Sequence, residues 1–312
     1  MAKTSASGKV TFAGSITALI TPFKDGKLDA KKFQEFVAWQ IAEGTQGVVP
    51  CGTTGESPTL SHEEHKHINE LCVEVAKGKI PVIAGAGSNS TAEAIEFTQH
   101  AEKIGADAVL HVTPYYNKPT QAGLYAHYKA IHDSSNLPIF IYNIPPRSVI
   151  NMTVETMAKL AELPRIVGVK DATNDLARPV KTRLTCGPDF IQFSGEDGTA
   201  LAFLAQGGHG CISVTSNIAP ALCAQMHAAW AKGDVKKAQE IQDKLMPLHD
   251  SLFMETSPGP VKYAASLLGW CDNHLRLPLV SIGKSTEQIV EAAMHHAGLL
   301  DSKKPSGKKR AA

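Results

Sequence analysis

Along most of the chain, short runs of consecutive apolar residues alternate with longer stretches whose apolar positions recur at helical spacing. The short runs are SITALI (15–20), GVVP (47–50), IPVIAG (80–85), DAVLHV (107–112), PIFIY (138–142), IVGVK (166–170), FIQFS (190–194) and GCISV (210–214). Most are continuous rather than alternating, which marks strands covered on both faces, as in a parallel sheet. The longer stretches read as amphipathic helices. In LDAKKFQEFVAWQIAEG, Phe33, Phe36, Val37, Trp39 and Ile41 largely share one broad face, with Asp29 as N-cap and Gly44 as stop. SHEEHKHINELCVEVAKG opens on Ser61 with Glu64 three residues later, a capping box. TAEAIEFTQHAEKIGA repeats that pattern from Thr91.

Strand starts recur roughly every 30 residues and tighten near the end, which amounts to about eight βα units. Eight such units close most naturally into a (β/α)8 TIM barrel, here over residues 12–233. A doubly wound open sheet is the runner-up. It usually has fewer strands and a Gly-rich phosphate loop after the first, whereas the first strand here runs into TPFKDGK. Beyond the barrel, DVKKAQEIQDKLMPLHDSLF, GPVKYAASLLGW and STEQIVEAAMHHAGLL read as helices, so residues 234–300 form a C-terminal helical segment. Residues 1–11 read as a flexible N-terminus and 301–312 as a disordered basic tail.

Composition narrows the function class. The 312 residues are 43% hydrophobic and 20% charged, with a net charge of +1 spread evenly, so no general polyanion-binding surface is implied. Nucleic acid and membrane are therefore not expected as partners. No apolar run is long enough to span a bilayer, and MAKTSASGKVTFAG lacks a secretory h-region. Cys51, Cys72, Cys186, Cys211, Cys223 and Cys271 contain no C-x-x-C pair and read as small hydrophobes in a reducing, cytoplasmic setting.

In a (β/α)8 barrel the functional groups sit at the C-terminal strand ends. Those ends carry CGTTGES (51–57), TPYYNKP (113–119), Tyr142 with NIPPR, Lys170, SGED (194–197), and Gly210, Ile212 and Ser213. They lack the His and carboxylate clusters of a metal site. GTTGE is either a tight βα turn or a backbone cradle for a carboxylate or phosphate. Lys170 is either an exposed strand-end lysine paired with Asp171, or a desolvated amine. Desolvation favours the free amine, the nucleophile that forms a Schiff base with a ketone or aldehyde. The company at the mouth favours the second reading: Tyr142 to move protons, with Thr54 as relay partner, and Arg147 to bind a carboxylate bidentately. His62, His65 and His67 cluster, but H-E-E-H spaces two of them three apart rather than four, which argues against zinc.

GTTGES, VTPYYNKP, YNIPPR, GVKDAT, SGED and GHGCISVTSN together resemble the pyruvate-dependent class I aldolase and lyase superfamily, and within it the dihydrodipicolinate synthases, from about Phe12 to Leu300. The resemblance implies that Lys170 forms a Schiff base with pyruvate. Tyr142, Thr54 and Tyr116 would be the proton relay, with Tyr116 reaching into a neighbouring subunit's site. Thr53 and Thr54 would hold the pyruvate carboxylate, and Arg147 the carboxylate of L-aspartate 4-semialdehyde. Gly195 and Ile212 would line the pocket through their backbones. The product would be 4-hydroxy-tetrahydrodipicolinate, on the way to diaminopimelate and lysine, with no cofactor and no metal. It further implies a homotetramer built as a dimer of dimers, and inhibition by L-lysine in a cleft of Ser57, Pro58, His62, His65, Asn89, Glu93 and Tyr115. Two departures stand out: Pro58, where small residues are also found, and the second proline of IPPR, which should stiffen that loop.

The competing reading inside the superfamily is N-acetylneuraminate lyase or a 2-keto-3-deoxy sugar-acid aldolase or dehydratase. Those polyhydroxylated substrates need more polar groups than the segments around Gly195 and Ile212 offer. Outside enzymology, a catalytically silent binding barrel remains, along with nucleic-acid contact through the basic tail.

Overall fold

A computed structural model describes residues 10–300; the expected basic tail and most of the expected flexible N-terminus lie outside the described residues. Within them, eight parallel strands carry the architecture: β1 (Gly14–Ala18), β2 (Gly47–Val49), β3 (Ile83–Gly85), β4 (Ala108–Val112), β5 (Ile139–Asn143), β6 (Ile166–Asp171), β7 (Ile191–Ser194) and β8 (Gly210–Ser213). Their spatial order is β2-β1-β8-β7-β6-β5-β4-β3, and a parallel bridge from Val48 to Val82 brings β2 back to β3. Every expected strand is present, and the sheet closes on itself as a (β/α)8 TIM barrel.

The continuous hydrophobicity of the strands has its explanation in two cores. Inward residues such as Ile16, Ile83, Leu110, Phe140, Phe193 and Ile212 fill the barrel, with Phe12 set edge-on against Phe140 at 5.2 Å. Alternate residues, among them Val48, Val109, Ile139, Ile141, Val169 and Cys211, face outward into the layer beneath the helices. Strand side chains alternate between faces, so apolar groups are required on both.

The helices that follow the eight strands in turn are α1 (Ala30–Ala42), α2 (His62–Ala76), α3 (Thr91–Ile104), α4 (Gln121–Asp133), α5 (Val154–Ala161), α6 (Arg178–Cys186), α7 (Ala200–Ala205) and α8 (Pro220–Ala231). Asp29 caps α1 through the Lys32 N–H, and Ser61 with Glu64 forms the full capping box of α2. At α3 the cap lies one residue before Thr91: the Ser90 side chain accepts from the Glu93 N–H. Three further helices follow, α9 (Val235–Ser251), α10 (Gly259–Leu267) and α11 (Lys284–Ala297). Helix α9 packs on α8 and on α11, so the last helices lie against the barrel's closing unit. No described helix is long and apolar enough to cross a membrane.

Candidate active site

The pairing register puts the chemistry at one level. Tyr142 on β5 is the register partner of Lys170 on β6, which in turn pairs with Phe193 on β7. Phe193 points into the barrel, so Lys170 and Tyr142 stand on the same inner face at the mouth. The Lys170 ammonium lies 4.3 Å from the centre of the Tyr142 ring.

Lys170 is 5% exposed, and no hydrogen bond or ion pair joins its amine to another described residue. The expected alternative partner, Asp171, faces away. Its carboxylate forms an ion pair with Arg178, Nε at 2.9 Å, and accepts from the Thr173 hydroxyl and N–H at 2.6 and 2.9 Å. Burial raises the Asp171 carboxyl, against the lowering effects of Thr173 and Arg178. A buried amine without a carboxylate is costly for stability and useful for nucleophilic chemistry. Glu196 shares the mouth. Burial pushes its carboxyl up, while the positive charge of Lys170 pulls it down.

Gly195 explains itself by space. Its N–H donates to Asp171 O at 2.6 Å, and a Cβ there would come within 2.7 Å of Ala172 Cβ and 3.2 Å of Lys170 Cε. Gly195→Ala should therefore displace Lys170, lowering turnover by about tenfold or more while costing about 1–3 kcal/mol of stability. A turnover assay beside a denaturant melt checks this; wild-type kinetics would contradict it. Ile212, fully buried on β8, pairs with Ile16 across the closing strands.

Above Tyr142 opens a cavity of about 210 Å³ lined by Thr53, Ser57, Pro58, Tyr115, Tyr142 and Arg147, among others. Thr53 contributes to its wall; Thr54 is 3% exposed and does not. Arg147 is exposed on the one-turn helix Pro145–Ser148, with Pro145 opening it, and donates from Nη2 to Ser257 O at 3.2 Å. Tyr116 is not brought into this mouth. It is 89% exposed and held at φ 72°, a left-handed conformation unusual for a non-glycine residue.

The remaining predicted residues gather beside the same cavity. Asn89 Nδ2 donates to Tyr115 O at 3.1 Å, and His62 Nε2 meets Glu93 Oε1 at 2.7 Å. His65 is buried, stacks on Phe97 with centroids 4.0 Å apart, and bonds Gly85 O through Nε2 at 2.7 Å. Burial pushes its pKa down to about 4, so the imidazole is neutral near pH 7. Burial, with Glu93 adding, raises the Tyr115 phenol. No group of three or more His, Cys, Asp or Glu among the described residues could hold a metal ion.

Sequence reasoning passed over several residues that hold the site. Asp197 is buried and takes the Ser213 hydroxyl on Oδ1 and the Val214 and Thr215 N–H groups on Oδ2 at 2.8 and 3.1 Å, tying the ends of β7 and β8 together. Glu56 and Lys262 form an ion pair at 2.6 Å with both side chains fully buried. Burial lowers the Lys262 pKa, against the raising effect of Glu56. The signal in the sequence is a lysine inside the apolar run GPVKYAASLL, since lysines are rarely buried unless paired.

Comparison with known proteins agrees with this geometry. Residues 11–297 match the model of the dihydrodipicolinate synthetase family. The 4-hydroxy-tetrahydrodipicolinate synthase of Rhodospirillum centenum is 66% identical over 289 residues, which is 93% of this chain and 99% of that protein. The chloride-inhibited dihydrodipicolinate synthase of Acinetobacter baumannii, solved with pyruvate, superposes with a TM-score of 0.90 at 44% identity, covering 93% of this chain and 100% of that one. The lysine-bound DHDPS of Cyanidioschyzon merolae gives a TM-score of 0.90 at 42% identity, over 94% and 100%. The chain belongs to the dihydrodipicolinate synthetase family and is a lyase.

Proposed function

We propose that the chain condenses pyruvate with L-aspartate 4-semialdehyde to form 4-hydroxy-tetrahydrodipicolinate, with Lys170 as the Schiff-base nucleophile. The observation that carries this is the buried Lys170 amine, free of any ion pair among the described residues and set against Tyr142, which itself lines the open cavity. The amine attacks C2 of pyruvate, and loss of water leaves an imine. Removal of a C3 proton yields the enamine, whose C3 bonds to the aldehyde carbon of the second substrate. That substrate's amino group then attacks C2, closes the ring and releases the Lys170 amine.

Each proton transfer needs a hydroxyl at the mouth, and Tyr142 supplies one. The relay partner comes from the Thr53–Thr54 pair. Thr54 is the partner expected from the sequence, whereas Thr53 is the one in the cavity wall, which favours Thr53 in that role. Both threonines lie in the turn that receives the pyruvate carboxylate, with Gly195 and Ile212 supplying backbone to the pocket. Arg147, on the cavity rim, suits the carboxylate of the semialdehyde. The outward, strained Tyr116 fits a phenol that completes a neighbouring subunit's relay, and with it a homotetramer.

Ser57, Pro58, His62, His65, Asn89, Glu93 and Tyr115 suit an L-lysine cleft. Glu93 provides a carboxylate for an ammonium, and the relative from Cyanidioschyzon merolae carries lysine. L-Lysine at about millimolar concentration should lower the initial rate, a scale typical of weak small-ligand sites. Glu93→Ala should abolish that inhibition while leaving uninhibited turnover near wild type. Equal inhibition of both proteins would remove Glu93 from the cleft.

The reaction is tested by coupling to the NADPH-dependent reductase that consumes the product. Turnover with pyruvate and the semialdehyde is expected. A pyruvate adduct trapped by borohydride without such turnover would instead favour a sugar-acid aldolase of the same superfamily.

A further inference from the structure

The turn that carries Thr53 and Thr54 is held from outside the barrel. Its internal bonds are few: Gly55 N to Gly52 O at 3.1 Å, Glu56 N to Thr53 O at 3.1 Å and Ser57 N to Gly52 O at 3.4 Å. It ends on Glu56 at φ 58°, a left-handed conformation that a glutamate does not adopt without support. The support comes from residues more than two hundred positions away. Glu56 Oε1 takes Lys262 Nζ from α10 at 2.6 Å, and Oε2 takes the Arg276 N–H at 3.0 Å. Lys262 Nζ also donates to Thr21 O at 2.9 Å, and the Thr21 hydroxyl donates to Gly55 O at 2.8 Å. The Arg276 guanidinium grips the far side of the loop. It makes two 2.6 Å contacts to the Glu64 carboxylate and one at 3.0 Å to Thr59 O. Both cations lie over the Phe23 ring, at 4.3 and 4.2 Å from its centre.

We infer that Glu56, Lys262 and Arg276 form a clasp through which the C-terminal helical segment positions the Thr53–Thr54 turn for the pyruvate carboxylate. These are positioning residues; none of them lines the cavity. A buried ion pair is a poor stabiliser compared with apolar residues of similar size. What it supplies is direction: a carboxylate fixed at both oxygens pins the end of a turn that an apolar contact would let rotate. The inference rests on the Schiff-base reading above, because it assigns the turn to pyruvate.

The test pairs Glu56→Gln with Lys262→Met, so that neither charge is left buried alone. The full-length double variant and wild type are compared by thermal melt, by borohydride trapping of Lys170 with pyruvate, and by steady-state kinetics in both substrates. A folded variant whose pyruvate KM rises by about tenfold, with a smaller change in the semialdehyde KM and in kcat, is the expected result. A folded variant with wild-type pyruvate KM and trapping overturns the clasp. Should the double variant fail to melt cooperatively, Thr21→Val removes only the bond to Gly55 O. It should raise the pyruvate KM in the same sense, and an unchanged value overturns the proposal. Absence of a pyruvate adduct in wild type would instead sink the Schiff-base reading itself.

Discussion

Lys170→Ala is expected to lose turnover by at least about a thousandfold, because no other described residue offers a free amine in the mouth. Borohydride with pyruvate should add mass to wild type at Lys170 and none to the variant. Its stability should not fall in proportion. The Lys170 amine makes no hydrogen bond or ion pair with another described residue, so little is broken by removing it. The desolvation cost of the ammonium disappears with it. A melting temperature at or above wild type, with activity gone, is the signature of a group retained for chemistry. Retained turnover, or a variant that no longer folds, would return Lys170 to the ordinary structural lysines.

The second large effect is acid destabilisation. Of the 13 histidines, His65, His127 and His227 have pKa values lowered to about 4, and His111 to about 3, with burial the leading cause in each case. His111 accepts or donates at Thr98 Oγ1 through Nε2 at 3.0 Å, and His127 meets Thr91 Oγ1 at 2.9 Å through Nδ1. In the unfolded chain these rings titrate near 6.5. Between that value and about 4, the unfolded state therefore binds more protons, and stability falls as pH falls. Each ring contributes up to about 1.4 kcal/mol per pH unit in that window. The total reaches several kcal/mol by about pH 5, comparable with the whole stability of a typical domain. The raised carboxyls of Asp107, Asp171 and Glu196 act in the opposite direction, each pushed up by burial. Thermal melts at pH 7.5, 6 and 5 should show a steep loss, and His111→Asn should remove about one proton from the slope. A melting temperature flat across that range would contradict the buried-histidine account.

Much of this protein could be read locally. A strand covered on both faces must be apolar throughout, and a helix on its outside must be apolar on one face. Both patterns lie within a few consecutive residues, so all eight strands and the caps of α1 and α2 were legible. The mouth residues were legible for a related reason. Once the strands are placed, barrel geometry assigns their C-terminal ends, and Lys170, Tyr142, Arg147 and the GTTGES turn fall there. Resemblance to a family then supplied roles that spacing alone could not.

Other features depended on groups far apart in the chain meeting in space. The nearest acid in sequence to Lys170 is Asp171, yet strand alternation turns it to the other face, where Arg178 takes it. His62, His65 and His67 cluster in sequence, yet His62 and His67 are solvated, while His65 is sealed against Phe97 and Gly85. Thr53 and Thr54 are adjacent and identical, and only the fold of the turn puts one in the cavity wall and the other behind it. Glu56 and Lys262 are 206 positions apart. Neither carries a local mark of its partner, because a buried ion pair is specified by the shape of the space that encloses it. The sequence determined the barrel and placed Lys170 at the end of one of its strands. The tertiary structure decided which charges are paired, which are left free, and what holds the turn beside them.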